Sequence, residues 1–170
     1  MFNSPAGTNL GSDREVDLLN ARVGGVDDVA TGEALRTVIL AVAASDAHVV
    51  ANVLIAYELR QRNFNVVNLG PCTPVSALCD AVEQHPDAEA VLVGSLNGHA
   101  YEDLRGLPQA RDEGRLDLPV ILGGNLTVGA RKRLSDLKRL YALGVTEILS
   151  DASQLVGTLN ELRPAGALAA

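Results

Sequence analysis

The stretch that decides the fold is Thr37-Val38-Ile39-Leu40-Ala41-Val42-Ala43-Ala44-Ser45-Asp46-Ala47-His48. It opens with an unbroken apolar run, which is typical of a strand covered on both faces in a parallel sheet, here expected at 37–43. A helix is predicted at 49–62, because its side chains fall at helical spacings: Val50, Val53, Leu54, Tyr57 and Glu58. His48 is therefore expected at the carboxyl edge of the sheet, where open α/β folds bind their ligands.

The same alternation of strand and helix continues along the chain. Further strands are predicted at 65–69, 90–94, 120–122 and 147–149, and further helices at 74–85, 104–113, 129–143 and 153–162. Gly70-Pro71 is expected to end the second strand, Thr73 to cap the next helix, Gly123-Gly124 to end the fourth strand, and Gly144 to be a left-handed C-cap. This pattern predicts an α/β fold: a doubly wound five-stranded parallel sheet in the flavodoxin-like, Rossmann-like order.

The length and the local composition indicate one domain. Residues 1–35 are rich in Gly, Ala, Ser and Asp without a sustained period, which predicts a flexible N-terminal extension. The domain is expected at 36–164, followed by a C-terminal tail at 165–170. The 170 residues are too few for an additional (β/α)8 barrel, which takes about 250 residues. A second catalytic domain of that kind is therefore expected in another chain.

Charge and composition narrow the class of ligand. The net charge of −7, with no basic stripe, argues against nucleic acid and against an anionic membrane surface as partners. Hydrophobic residues make up 47% of the chain but aromatic residues only 3%, as suits an aliphatic parallel sheet. Cys72 and Cys79 are expected to be reduced thiols. No stretch approaches the roughly 20 apolar residues of a membrane helix, and no secretory signal is visible, so a cytoplasmic location is expected.

Asp46 and His48 have the residue types and the spacing of a metal ligand with its supporting carboxylate. A metal-bound histidine normally donates its second ring N–H to a carboxylate or a carbonyl, and Asp46 lies two residues away on the same loop. Three loops should meet at the carboxyl edge of the sheet, at 45–49, 94–99 and 123–129. Their glycines leave room for a bulky, flat ligand, whereas the simpler interpretation of any one of them is a tight turn.

Four segments, in order and spacing, resemble the cobalamin-binding small subunit of methylaspartate mutase (glutamate mutase), across about 37–162. Residues 45–52, Ser-Asp-Ala-His-Val-Val-Ala-Asn, resemble the family's Asp-x-His-x-x-Gly segment. Residues 63–70, Asn-Phe-Asn-Val-Val-Asn-Leu-Gly, resemble its second-strand signature. Ser95-Leu96 lies at its Ser-x-Leu, and residues 123–129, Gly-Gly-Asn-Leu-Thr-Val-Gly, resemble its Gly-Gly-Asn loop.

The resemblance implies an adenosylcobalamin-dependent isomerase subunit that takes part in the radical rearrangement of glutamate to 3-methylaspartate. It implies His48 as the lower axial ligand of cobalt, with Asp46 orienting it, so that these two residues are the catalytic candidates. It also implies a larger, barrel-type partner subunit that holds the substrate, in a heterotetramer. The implied cofactor-binding residues are Ser45, Asp46, Ala47, His48, Val49, Gly94, Ser95, Leu96, Gly123, Gly124, Asn125, Leu126, Thr127, Val128 and Gly129.

Two positions depart from the family pattern. Ala51 stands where the first motif has glycine, and its methyl group is expected to crowd the nucleotide tail of the cofactor. Gly94 stands at the first serine of Ser-x-Leu, so a hydroxyl expected to hydrogen-bond the displaced base is missing unless Ser95 or water replaces it. An unmatched polar atom costs about 1–3 kcal/mol, which weakens binding without abolishing it.

The same residues are also compatible with two other classes of protein. A stand-alone corrinoid carrier or a cobalamin sensor uses the same histidine and aspartate, but usually has a helical domain before the sheet. A flavodoxin-like interaction domain that has lost the cofactor is the second alternative, because a fold alone does not imply a function.

Overall fold

The computed structural model describes residues 35–126 and 134–162. The predicted extension at 1–35, apart from its last residue, the predicted tail at 165–170, and the loop residues Thr127, Val128 and Gly129 lie outside the described residues. The strands are β1 (Arg36–Ala43), β2 (Phe64–Thr73), β3 (Ala88–Ser95), β4 (Val120–Gly124) and β5 (Glu147–Leu149). The helices are α1 (Val50–Gln61), α2 (Val75–Gln84), α3 (Ala100–Asp103), α4 (Leu107–Asp112), α5 (Leu134–Ala142) and α6 (Leu155–Glu161), with a 3-10 turn at Ala152–Gln154.

The five strands form one parallel sheet in the order β2-β1-β3-β4-β5, which confirms the predicted flavodoxin-like topology. β1 lies inside the sheet between β2 and β3, and Val38 and Ile39 on it are fully buried. Because successive side chains point to opposite faces, Ile39 belongs to the apolar cluster on one face and Val38 to the cluster on the other. This two-sided burial explains why the strand is a continuous apolar run.

The second strand differs from its prediction. It continues through Gly70-Pro71 to Thr73, with register shifts against β1 and positive φ angles at Gly70 (+80°) and Cys72 (+55°). Pro71 is tolerated because β2 is an edge strand, where a missing N–H interrupts no central ladder. Thr73 does not cap α2: its hydroxyl donates to the carbonyl of Gly70, and the N-cap residue is Pro74.

Smaller differences occur at three other places. The helix predicted at 104–113 is two short helices, α3 and α4. Gly123 and Gly124 form the last residues of β4, whereas they were expected to end the strand earlier. Gly144 has a φ of +96° after α5, as a left-handed C-cap requires. The described segments contain no helix long and apolar enough to cross a membrane.

Helix α1 covers the sheet with its less apolar side. Its buried residues are Asn52, Ala56 and Leu59. The stripe formed by Val50, Val53, Leu54 and Tyr57 is 54–75% exposed. The helical spacing therefore predicted the helix correctly, but the most apolar face of α1 points away from the core.

Candidate functional site

Asp46 is the centre of the site. Its side chain is fully buried directly after β1, where the turn is closed by the hydrogen bond from Asp46 N–H to the carbonyl of Ala43, at 2.9 Å. One carboxylate oxygen, Oδ1, accepts from the backbone N–H of His48 at 2.9 Å and contacts His48 Nδ1 at 2.5 Å. The other, Oδ2, accepts from the backbone N–H groups of Leu96 at 2.5 Å and Asn97 at 3.1 Å.

These hydrogen bonds keep Asp46 ionised. Burial by itself raises the pKa of the Asp46 carboxyl, since it penalises the charged form. The hydrogen bonds to the two oxygens outweigh burial and lower that pKa to about 2. At neutral pH the carboxylate is therefore an acceptor only, and the proton of a neutral His48 ring lies on Nδ1.

His48 presents its other ring nitrogen outward. The side chain is 60% exposed at the end of the loop after β1, although its Nδ1 is held by a buried carboxylate. With the proton on Nδ1, the lone pair of Nε2 is free to bind a metal. The predicted contact between the imidazole and the carboxylate is thus formed within one loop.

The loop after β3 is joined to the loop after β1, as predicted. Asn97 Nδ2 donates to the carbonyl and the hydroxyl of Ser45, at 3.0 and 2.8 Å, and Asn97 Oδ1 accepts from the backbone N–H of His99 at 3.0 Å. Asp103 also accepts from the N–H and the hydroxyl of Ser45. Asn97 and Asp103 were not among the predicted site residues, because only the folded chain brings them beside Ser45.

The loop after β4 approaches the same place. Gly124 has a φ of +112°, and a Cβ at this position would collide with the carbonyl of Ser95. Asn125 Nδ2 donates to the carbonyl of Leu96 at 3.4 Å. Glycine is therefore required at 124 for β4 and the loop after β3 to lie this close together.

A cleft of about 280 Å³ opens at this edge of the sheet. Six of the predicted cofactor-binding residues line it: His48, Gly94, Ser95, Leu96, Gly123 and Gly124. Five others described in the structure do not line it: Ser45, Asp46, Ala47, Val49 and Asn125. Leu126 is buried in the core and does not line it either.

Further lining residues come from two segments that the predicted site left out. Ala51, Asn52 and Ile55 of α1 form one wall. Ser150, Asp151 and Ala152 follow β5 and contribute at the other side. The sequence carried a signal for the second group, since these residues follow a predicted strand and must lie at the same carboxyl edge.

Comparison with known proteins places the chain in a family. The B12 binding domain family matches residues 36–145. Glutamate mutase sigma subunit 2 of Haloarcula marismortui is 42% identical over 129 residues, which are 76% of this chain and 86% of that protein. The chain belongs to the glutamate mutase sigma subunit family. The sigma subunit of Clostridium tetani is 36% identical over 118 residues, which are 64% of this chain and 85% of that subunit.

Solved structures share the fold of this chain. A cobalamin-binding protein from Desulfitobacterium hafniense matches with a TM-score of 0.62 at 22% identity, over 76% of this chain and 60% of that one. A methanol:cobalamin methyltransferase complex from Methanosarcina barkeri matches with a TM-score of 0.57 at 22% identity, over 85% of this chain and 52% of that one. At this identity the likeness concerns the fold alone.

The residues that line the cleft fit a cobalamin. A single imidazole at the mouth suits a metal whose other ligands come from its own macrocycle. A Cβ built on Gly123 meets no atom within 4 Å, so the space beside it is open for a ligand. Inside the cleft, Asn52 is buried and its Nδ2 has no hydrogen-bond partner among the described residues, as expected of a group that awaits a ligand.

The two departures from the family pattern lie in this cleft. Ala51 is one of its lining residues. Gly94 carries no hydroxyl, and a Cβ there would meet only the carbonyl of Ala41, at 3.8 Å. Ser95, which was considered as a replacement, is fully buried and its hydroxyl donates to Asn97 Oδ1 at 3.4 Å. Gly94 therefore offers the cleft no hydrogen-bond donor, and the Ser95 hydroxyl would serve a ligand only by changing its partner.

Proposed function

We propose that this chain binds adenosylcobalamin in the cleft, with Nε2 of His48 as the lower axial ligand of cobalt, and that it serves glutamate mutase as its sigma subunit. The observation that carries the proposal is the exposed imidazole held by a buried carboxylate at the mouth of the cleft. The family of the chain favours the mutase subunit over the stand-alone carrier, the sensor and the interaction domain.

The protein's part in the chemistry is to hold and tune the imidazole. Asp46 accepts a hydrogen bond from Nδ1–H, fixes the tautomer and raises the electron density that Nε2 offers to a metal. The N–H groups of Leu96 and Asn97 anchor Asp46 in turn, so the ring is held by two loops of the sheet edge. When bound, the cofactor supplies an adenosyl radical by homolysis of its cobalt–carbon bond.

We further propose that the reaction, the rearrangement of glutamate to 3-methylaspartate, takes place in a larger subunit that docks over the cleft mouth. The exposed apolar stripe of α1, which is Val50, Val53, Leu54 and Tyr57, supports this. The stripe begins two residues after His48, and two further exposed apolar residues lie nearby in the sequence or the site: Val49, next to His48, and Leu96, which lines the cleft. A contiguous exposed apolar surface marks an interaction site, and covering this one excludes water from the radical reaction. A heterotetramer, as the resemblance implies, remains our proposed stoichiometry.

An activity assay tests the proposed function. The purified chain, a larger glutamate mutase subunit, adenosylcobalamin and glutamate are mixed, and 3-methylaspartate is measured. The wild-type chain should support the reaction, whereas His48→Gly should abolish most of it and retain the circular dichroism of the wild type, because the imidazole is largely exposed. His85→Gln is the matched control and should keep full activity, since His85 is the C-cap of α2 outside the cleft. Full activity of His48→Gly would contradict the assignment of the axial ligand.

Docking is tested separately by a charge placed on the stripe. Leu54→Asp should weaken association with the larger subunit about tenfold or more, because it buries a carboxylate in an apolar contact. The control is Gln109→Asp on α4, which packs on the opposite face of the sheet from α1 and should leave association unchanged. Equal affinities of the two variants, measured by titration calorimetry, would place the interface elsewhere.

A further inference from the structure

Asn52 is a buried residue whose side-chain amide is only partly hydrogen-bonded. Its side chain is 4% exposed and lines the cleft from α1. Its Nδ2 atom makes no hydrogen bond to any residue that the structure describes. Buried side-chain donors nearly always have a partner, so this one requires an explanation.

A chain of hydrogen bonds sets the orientation of this amide. The backbone N–H of Gly70 donates to Asn68 Oδ1 at 2.9 Å, so Asn68 must turn its Nδ2 toward α1. Asn68 Nδ2 donates to Asn52 Oδ1 at 2.8 Å. The reverse orientation of Asn52 would set two NH2 groups against each other, because both would be donors. Asn52 Nδ2 is therefore the atom left without a protein partner.

Apart from His48, whose Nε2 faces outward, the other polar side chains that line the cleft already have hydrogen-bond partners. The Ser95 hydroxyl donates to Asn97, and the Ser150 hydroxyl donates to Gln154. Asp151 accepts from the backbone N–H of Ser153. Among the described residues that line the cleft, Asn52 thus carries the buried side-chain donor that has no partner.

We propose that Asn52 Nδ2 donates a hydrogen bond to an uncharged acceptor on the nucleotide tail of the bound cobalamin, such as the free ring nitrogen of its displaced base. Asn68 acts as a positioning residue that holds the Asn52 amide in the donating orientation. This inference rests on the proposed function, and it supplies the donor that Gly94 lacks. It also assigns a role to Asn68 within the second-strand segment.

Binding of two corrinoids to the full chain tests the inference. Cobalamin carries the nucleotide tail, whereas cobinamide lacks it, and both are measured by equilibrium dialysis with detection of corrin absorbance. Asn52→Leu should raise the dissociation constant for cobalamin about tenfold, equal to about 1.4 kcal/mol, and leave that for cobinamide unchanged. Asn68→Leu should give a smaller loss of the same selectivity, because Asn52 keeps its donor but loses its orientation. Asn160→Leu is the control: Asn160 contacts Arg36 at the start of β1, and neither constant should change.

The stability of the ligand-free protein separates ligand binding from a structural role. Asn52→Leu removes a buried Nδ2 without a partner, and it also removes the acceptor of Asn68 Nδ2, which lies on an exposed residue and can turn to water. The ligand-free variant should therefore unfold near the wild-type temperature. Earlier unfolding with an equal loss of affinity for both corrinoids would overturn the inference in favour of a structural role. Wild-type affinity of Asn52→Leu for cobalamin would overturn it while leaving the proposed function intact. If the wild-type chain bound neither corrinoid, with or without the larger subunit, the proposed function itself would fail.

Discussion

Replacing Asp46 by asparagine is expected to lower the free energy of unfolding by about 3 kcal/mol at neutral pH. Each carboxylate oxygen accepts two hydrogen bonds, Oδ1 from the N–H and Nδ1 of His48, and Oδ2 from the N–H groups of Leu96 and Asn97. An asparagine keeps one acceptor oxygen and turns an NH2 group toward the other pair of donors. Two donors then lose their partner, at about 1–3 kcal/mol each.

The lowered pKa of Asp46 gives a similar contribution to the free energy of unfolding. The fall from 3.8 to about 2 corresponds to about 2.5 kcal/mol, at about 1.4 kcal/mol per unit. Because the pKa in the folded state lies below that in the unfolded state, this stabilisation is complete above about pH 4 and is lost as the pH falls toward 2. Asp46→Asn lacks this contribution, so the difference between the two proteins should shrink between about pH 4 and pH 2.

Urea unfolding followed by far-ultraviolet circular dichroism measures both effects, since the chain contains no tryptophan. The matched control is Asp103→Asn, because Asp103 also accepts two hydrogen bonds, from Ser45, but at an exposed place. It should change the free energy of unfolding by only about 0.5 kcal/mol. If Asp46→Asn unfolded at the same urea concentration as the wild type near pH 7, the reasoning from the buried carboxylate would be refuted.

Two glycine substitutions, with a third as a control, test the geometry of the fold and of the cleft. Gly144→Ala should lower the free energy of unfolding by about 2–3 kcal/mol, because the new Cβ would lie 2.6 Å from Arg111 Nε at a φ of +96°. The control is Gly114→Ala, at a φ of +66° with no atom within 4 Å of the new Cβ, and it should lower the free energy of unfolding by only about 1 kcal/mol. If urea unfolding gave equal losses for the two variants, the clash at Gly144 would be contradicted. Gly123→Val should keep wild-type stability within about 1 kcal/mol but weaken cobalamin binding about tenfold in equilibrium dialysis, because its side chain enters the cleft. Undiminished binding by Gly123→Val would place the ligand elsewhere.

The strand order and most elements could be predicted because buried parallel strands are short apolar runs between helical segments. β5 was predicted with its observed ends, Glu147–Leu149, and β1 with a difference of one residue. The end of β2 could not be predicted, since a proline breaks a central strand but is tolerated at an edge, and only the sheet shows which strand is the edge. The orientation of α1 was equally inaccessible, because its exposed stripe is more apolar than the side built around Asn52 and Ala56.

The candidate site, too, could be predicted only in part from the sequence. Asp46 and His48 are two residues apart, so their pairing could be predicted from the sequence, and the structure brings them into contact. Asn97 could not be identified as the residue that joins two loops, because its partner Ser45 is 52 positions away. The orientation of the Asn52 amide depends on Asn68 in β2, and the helical periodicity of α1 gives no sign of this contact.

The most direct test of the account is the electron paramagnetic resonance spectrum of cob(II)alamin bound to the chain together with the larger subunit. The spectrum is recorded with natural histidine and with nitrogen-15 histidine. We expect the nitrogen splitting on cobalt to change with the label in the wild type and to be insensitive to it in His48→Gly. A splitting in the wild type that does not respond to labelled histidine would mean that the base of the cofactor itself remains on cobalt, and it would contradict His48 as the axial ligand.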